Sequence, residues 1–273
     1  MIVAEYIAGF LVKKNITHVF ELSGGMITYL LDEIYKTQKI NIITMHHEQG
    51  AAFAADGYAR VKRLPGVAMA TSGPGATNLL TAIGSCYYDS VPAIFITGQV
   101  NTHELKGDRN IRQLGFQETD IVQMAKPITK FCIQVTSVEE IEDVLNKAFD
   151  MAMEPRQGPV LIDIPMNIQR SIMEAKNTYE PKDEIKKDFL EIERLVEDIQ
   201  KASRPLILTG RGVISENAMD LVRRVSEKFN IPVVSTLLGL GSLSHNHENY
   251  VDAVGCRVCA RRPGGRCPRK LFR

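Results

Sequence analysis

The chain has 273 residues, 44% of them apolar and 24% charged, with a formal net charge of +1. That balance fits one or two ordinary soluble domains and gives no whole-chain field to draw nucleic acid or anionic membrane. No apolar run reaches the ~20 residues of a membrane span.

The first segment, "MIVAEYIAGFLVKKN", places Ile2, Val3, Tyr6, Ile7, Phe10 and Leu11 at a helical period, with Glu5 interrupting the apolar run and no basic stretch before it. It reads as an amphipathic helix rather than a signal peptide, and the cytoplasm is the expected compartment. Strand-like and helix-like segments then alternate. Strands are predicted at His18 (HVFEL), around Asn41 (INIIT), at Val67 (VAMAT), Ala93 (AIFIT), Ile128 (ITKFCIQV) and Pro159 (PVLIDI). Helices are predicted over Met26 to Lys36, His47 to Lys62, Gly75 to Tyr88, Glu118 to Met124 and Ser137 to Met153. Short, β-branched strands separated by helices predict an α/β fold with a doubly wound parallel sheet. Ligands of such sheets bind at the carboxyl ends of the strands. The polar and glycine-rich stretches SGG, HHEQG, SGPGATN and GQVNTHE all fall there.

Residues 166–187, with the run KNTYEPKDEIKKD, read as a linker after a first domain of residues 1–165. Residues 188–254 start a second α/β unit: a helix from Phe189 to Lys201, the strand PLILTG, a helix from Ser215 to Phe229 and the strand IPVVST. It stops after two predicted strands, an incomplete second domain. Residues 255–273, "GCRVCARRPGGRCPRKLFR", lose both periods. A nucleic-acid-binding tail and a Cys-x-x-Cys zinc site are alternatives, the latter short of a second pair. The preferred expectation is an unstructured product of a wrong reading frame or truncation. Cys86 and Cys132 lie in apolar segments and are expected to be buried thiols.

Four places carry chemistry. Glu48 begins a helix after His46 and His47, but position 51 is Ala, so the His-Glu-x-x-His zinc pattern fails. A carboxylate at a helix start is stabilised by the macrodipole, which is the bland explanation. Ala52, Ala55 and Ala59 share its face, however, and a dry wall of small residues would raise its proton affinity or strengthen its bond to a buried base. Asp56 and Arg60 form an i, i+4 pair, read as local support. TSGPGATN, Thr71 to Asn78, matches neither the dinucleotide nor the P-loop spacing. It is either a tight turn or a close backbone approach to a flat ring, with Asn78 pointing back. Gly24 and Gly25 are either a turn or a place where backbone nears a ligand. Phe116, Gln117 and Glu118 lie in a long loop at the ligand edge, with Glu118 alternatively a helix start.

Together, HHEQGAAFAADGYAR, TSGPGATNLLTAIGSCYYDSVPAIFITGQV, FQETDIV with KPITK, and GPVLIDIP resemble the thiamine-diphosphate enzymes of the acetolactate synthase large-subunit type, in the right order over most of residues 1–170. The resemblance implies a pyrimidine-binding domain with a six-stranded parallel sheet. It implies that Glu48 hydrogen-bonds the aminopyrimidine N1′ and so promotes loss of the thiazolium C2 proton. It makes Gly25, Pro74 and Asn78 cofactor neighbours, and Phe116 and Gln117 the loop that reaches a partner subunit's site. Gly210, Gly212 and Gly239 become candidate contacts for FAD, with plain turn glycine as the alternative. Pyruvate or another 2-oxo acid is the implied substrate, in a homodimer or tetramer of the full-length parent, with a small regulatory subunit as a further partner; neither nucleic acid nor membrane is expected.

Three departures accompany it. Ser23 stands where the family has Pro, and NTHELKGDRNIRQLG is longer than the usual loop, as in relatives of sugar-nucleotide pathways. The Gly-Asp-Gly…Asn-Asn segment that holds magnesium and diphosphate does not occur. No metal-ligating residue is therefore expected in this chain, which by itself is expected to be inactive, a non-catalytic fragment or interaction module being the alternative.

Overall fold

In a computed structural model the chain divides into two compact units, Met1–Lys182 and Asp183–Arg273. The structure describes residues 1–175 and 190–253, with side chains from 192 onward in the second unit. The predicted tail of residues 255–273, with Cys256, Cys259 and Cys267, lies outside the described residues.

The first unit runs α1 (Val3–Lys13), β1 (His18–Leu22), α2 (Thr28–Thr37), β2 (Asn41–Thr44), α3 (Glu48–Lys62), β3 (Gly66–Ala70), α4 (Pro74–Asn78), α5 (Leu80–Asp89), β4 (Ala93–Gln99), α6 (Ile121–Ala125), β5 (Phe131–Gln134), α7 (Ile141–Met153), β6 (Pro159–Pro165) and α8 (Met166–Arg170). Its six strands form one sheet in the order β2-β1-β3-β4-β6-β5, every pair parallel. This is the expected α/β fold with a six-stranded parallel sheet.

Because side chains alternate across a strand, each central strand feeds two cores. Val67, Met69, Ile94 and Ile96 face Ile7, Leu11, Leu30, Ile34 and Phe149 of α1, α2 and α7. Ala68, Ala70 and Phe95 face Ala52, Ala55, Ala59, Ile83 and Cys86 of α3 and α5. The second face is lined with small residues because α3 lies close: a Cβ on Gly66 would stand 1.9 Å from the Ala55 carbonyl oxygen. The buried face of α1 (Val3, Ala4, Ile7, Ala8, Phe10, Leu11) makes that helix part of the core. The chain stays packed on this unit to Met173, whose N–H donates to the Met1 carbonyl (2.9 Å).

Several predicted elements change at their ends. The helix predicted over Gly75 to Tyr88 is two helices, interrupted at Leu79, where the N–H turns back to the Ala76 carbonyl (3.1 Å). Residues Gly25–Ile27 form a 3₁₀ turn, so the next helix starts at Thr28 rather than Met26. The helix expected from Glu118 begins only at Ile121, capped by Asp120, whose carboxylate accepts from the Gln123 N–H (3.1 Å). That expected from Ser137 begins at Ile141, because the Glu140 carboxylate holds the Ser137 N–H in a preceding turn. The strand expected from Ile128 shortens to Phe131–Gln134 behind a 3₁₀ turn over Lys126–Ile128 that contains Pro127. Cys86 is buried, as expected. Cys132 is only partly so, and its Sγ–H reaches the Val122 carbonyl (3.6 Å).

The second unit contains α9 (Leu190–Lys201), β7 (Ile207–Thr209), α10 (Arg211–Ser215), α11 (Met219–Phe229), β8 (Val233–Ser235) and β9 (Tyr250–Ala253). Its sheet is parallel, in the order β7-β8-β9. The third strand is a correction: two were expected, and YVDA, with an Asp at its third position, carries too weak a pattern to read. The helix expected from Ser215 is also displaced. Its first residues close α10, Asn217 takes φ 55°, and α11 starts at Met219.

Candidate active site

The strand order reverses between β1 and β3: β2 lies on one side of β1 and the rest of the sheet on the other. Loops leaving neighbouring strands at such a point part to opposite faces and open a crevice at the carboxyl ends. The predicted residues of this unit are found there.

Glu48 is the first residue of α3. His47 caps that helix, its Nδ1 accepting from the Gln49 N–H (3.1 Å). The Glu48 side chain is buried, 9% exposed, although its residue type is almost never fully buried without a partner. Its Oε2 accepts from Asn78 Nδ2 (2.8 Å), at the end of α4. Its Oε1 has no hydrogen-bond partner among the described residues. Gly75 borders that oxygen: a Cβ there would stand 3.2 Å from Glu48 Oε1 and 2.8 Å from Thr71 Cγ2. Glycine therefore leaves the approach to Oε1 open. A carboxylate with one oxygen fixed and one open can accept a hydrogen bond from an incoming N–H or hold a proton for it.

Gly73, at φ 67°, turns the chain into α4, with Pro74 at the first helical position. Thr71 links this turn to the β1 loop. Its Oγ1 accepts from the Met26 N–H (3.3 Å), and a Cβ on Gly24 would stand 2.5 Å from Thr71 Cβ. Gly25 faces open space, with nothing within 4 Å of where its Cβ would be. From the other side Gln117 covers the turn, its Cβ lying 2.8 Å from where a Cβ on Gly73 would be. Four loops, after β1, β2, β3 and β4, thus meet at Thr71–Asn78. Phe116, next to Gln117, projects into solvent at 75% exposure.

Thr71 and Gln99 are the members that reasoning from the sequence did not single out; Glu118 was named with its loop, but its bonds to the Lys106 and Leu114 N–H groups were not foreseen. Thr71 lies inside the quoted motif, but nothing in its type announces contacts with two glycines. Asp163 was missed as well, although an Asp within the apolar run LIDIP is a visible signal. It is buried at the carboxyl end of β6, accepting from Thr97 Oγ1 (2.6 Å), Gln99 Nε2 (3.0 Å) and Gln134 Nε2 (2.8 Å). Burial pushes this carboxyl up to about 6. Asp56 and Arg60 do more than support one helix. Arg60 holds Asp56 (2.6 Å) and also Asp89 (2.7 Å), tying α3 to α5.

In the second unit Gly210 precedes α10 and Gly212 lies within it, with nothing within 4 Å of a Cβ at Gly212. Gly239 is accounted for by packing: a Cβ there would stand 2.4 Å from the Thr209 carbonyl oxygen.

Comparison with known proteins agrees with this geometry. Residues 1–124 match the family described as thiamine pyrophosphate enzyme, N-terminal TPP binding domain, and residues 192–261 match the thiamine pyrophosphate enzyme central domain. The chain is 38% identical over 259 residues to the acetolactate synthase large subunit of Corynebacterium glutamicum, covering 92% of this chain and 40% of that one. It is 35% identical over 261 residues to the acetolactate synthase large subunit of Buchnera aphidicola, covering 92% and 44%. It is 34% identical over 263 residues to the mitochondrial acetolactate synthase catalytic subunit of Saccharomyces cerevisiae, covering 91% and 37%. The chain thus spans less than half the length of these relatives. No helix among the described residues is long and apolar enough to cross a membrane. With both domain types matched in order, on a six-stranded parallel sheet whose crevice holds a half-bonded glutamate, the chain belongs to the thiamine pyrophosphate enzymes.

Proposed function

We propose that this chain supplies the pyrimidine-side half of a thiamine diphosphate site in an acetolactate-synthase-like enzyme. That enzyme would decarboxylate pyruvate and join the two-carbon unit to a second 2-oxo acid. The observation that carries the proposal is Glu48, buried, held at Oε2 by Asn78 and open at Oε1 beside Gly75. The residues fit the group: Gly25 and Gly75 leave space where a side chain would intrude, and Oε1 offers an acceptor to a ring nitrogen. When bound, thiamine diphosphate supplies a carbon nucleophile at its thiazolium C2. Glu48 then orients the pyrimidine ring and holds a proton at its N1′, while Asn78 fixes the carboxylate. Gly25, Pro74 and Asn78 line the cofactor side, and Phe116 and Gln117 form the edge that reaches a partner subunit.

An exposed apolar stripe on α3 supports a dimer. Phe53, Gly57 and Val61 stand at i, i+4 and i+8 and are all exposed, with Tyr87 and Tyr88 exposed on α5. The relatives extend well past the matched region, and we assign the diphosphate and magnesium contacts to that remainder. FAD contacts are proposed at Gly210, Gly212 and Gly239, with plain turn glycine as the alternative, and Gly239 also packs closely on the Thr209 carbonyl. The longer loop after β4 favours a second reading of the acceptor, one from a sugar-nucleotide pathway. The cytoplasm is the proposed compartment.

Glu48→Gln in the full-length parent is expected to lower turnover by about 10²–10⁴-fold, the usual contribution of a proton-handling group. Unchanged turnover with pyruvate would remove Glu48 from this role. Titrating the parent with thiamine diphosphate and magnesium, by calorimetry, separates loss of binding from loss of turnover.

A further inference from the structure

The loop between β4 and α6 contains a carboxylate that the reaction does not use. Glu118 was expected to start a helix, but its side chain turns back into the loop. Oε1 accepts from the Lys106 N–H and Oε2 from the Leu114 N–H, each at 2.7 Å. One carboxylate thereby closes the segment between residues 106 and 114 at its base, through two charge-assisted bonds to backbone. The Gly115 N–H donates to the Glu104 carbonyl (2.8 Å), and the Glu118 N–H to the Gly115 carbonyl (3.2 Å), completing the closure. Asn101 and Glu104 form a reciprocal capping box where this loop begins.

Gln117 sits immediately before this clamp with φ at 63°. A residue with a Cβ occupies that region at a cost, and persists there only where the surroundings over-determine it. On its downstream side the Thr119 carbonyl accepts from Gln99 Nε2 (2.8 Å), and Gln99 is itself held by Asp163. Residue 117 is thus flanked along the backbone by both anchors, and its side chain lies over Gly73, at the turn into the helix that carries Asn78 to Glu48.

We infer that Glu118 is a positioning residue that holds Gln117 over the Gly73 turn. It acts by closing the loop rather than by touching a ligand. Only the description of Gln117 as part of the site rests on the function proposed above. The clamp is present in this chain as it stands, whatever the site binds.

The test uses the full 273-residue chain as wild type, Glu118→Ala and Glu118→Gln. Amide exchange at Lys106 and Leu114 is followed by nuclear magnetic resonance, together with the nuclear Overhauser contact between Gln117 Hβ and Gly73 Hα. Glu118→Ala removes both acceptors, and both amides should exchange about tenfold faster or more, the scale of one lost charge-assisted bond. The Gln117 to Gly73 contact should disappear, while the amides of β3 and β4 keep their protection. Glu118→Gln keeps one acceptor oxygen and should retain protection at one amide, with part of the Gln117 contact. If the contact survives in Glu118→Ala, or if Glu118→Gln is as disrupted as Glu118→Ala, the positioning role is wrong. Global loss of protection in Glu118→Ala shifts the decision to Glu118→Gln: a Gln117 contact unaltered from wild type there overturns the role, and a weakened one supports it. None of these readouts needs bound thiamine diphosphate, so failure here leaves the proposed function standing, and the reverse holds too.

Discussion

Replacing Asp163 by Asn should make the first unit more stable at neutral pH and remove part of its pH dependence. Asp163 lies in the interior with three donors around it and, among the described residues, no ion-pair partner. Burial raises it from 3.8 to about 6. A carboxyl raised on folding contributes stability that is complete below the unfolded value near 3.8 and is lost as pH climbs through about 6. The gap corresponds to about 3 kcal/mol between the two ends of that window. Asn is nearly isosteric and uncharged. Its oxygen can accept from the Gln99 and Gln134 amides, and its NH₂ can donate to Thr97 Oγ1, with the Thr97 hydroxyl turning from donor to acceptor in that contact. At pH 4 the variant and the wild type should be nearly equal. At pH 8 the variant should be more stable by up to about 3 kcal/mol. Native-state hydrogen exchange of the β4 and β6 amides, from pH 4 to 8, restricts the readout to the first unit, and the difference between the two proteins removes the other carboxyls. A variant less stable than wild type at pH 8, or a difference that does not vary with pH, would refute the reasoning.

Arg60→Ala leaves the largely buried Asp56 carboxylate without its cation and cuts the tie between α3 and α5; a loss of about 2–4 kcal/mol is expected in urea denaturation, and a loss below about 1 kcal/mol would mean that water replaces the guanidinium. Gly66→Ala drives a methyl to 1.9 Å from the Ala55 carbonyl oxygen, backbone against backbone, and is expected to cost about 3 kcal/mol or more in the same assay. Gly57→Ala, at an exposed helical position with no atom within 4 Å of the new methyl, is its control and should be neutral or stabilising by up to about 1 kcal/mol.

The six strands of the first unit were legible because each is a short, mostly apolar run bounded by turn residues. Helix starts were less legible, because carboxylates near them have more than one destination. Asp120 caps a helix, Glu140 holds the turn before one, and Glu118 clamps a loop twelve residues back in the chain. All three look alike in the sequence. Thr71 and Gln99 were invisible for a related reason: their partners, Met26 and Thr119, are neighbours only once the sheet is ordered.

The sequence alone determined the alternation of strands and helices, hence the parallel α/β class. It also determined the small-residue face behind Glu48 and the failure of the zinc pattern at Ala51. These are local matters, set by side-chain period and by residue type at a fixed spacing. Tertiary structure decided what no period encodes. It set the strand order that opens a crevice between β1 and β3, and the fixing of one Glu48 oxygen by an asparagine thirty residues away. It also seated Gln117 on Gly73 and buried Asp163 among three neutral donors. Each depends on which strands lie side by side, and that is settled by the joint burial of two apolar faces rather than by any one segment.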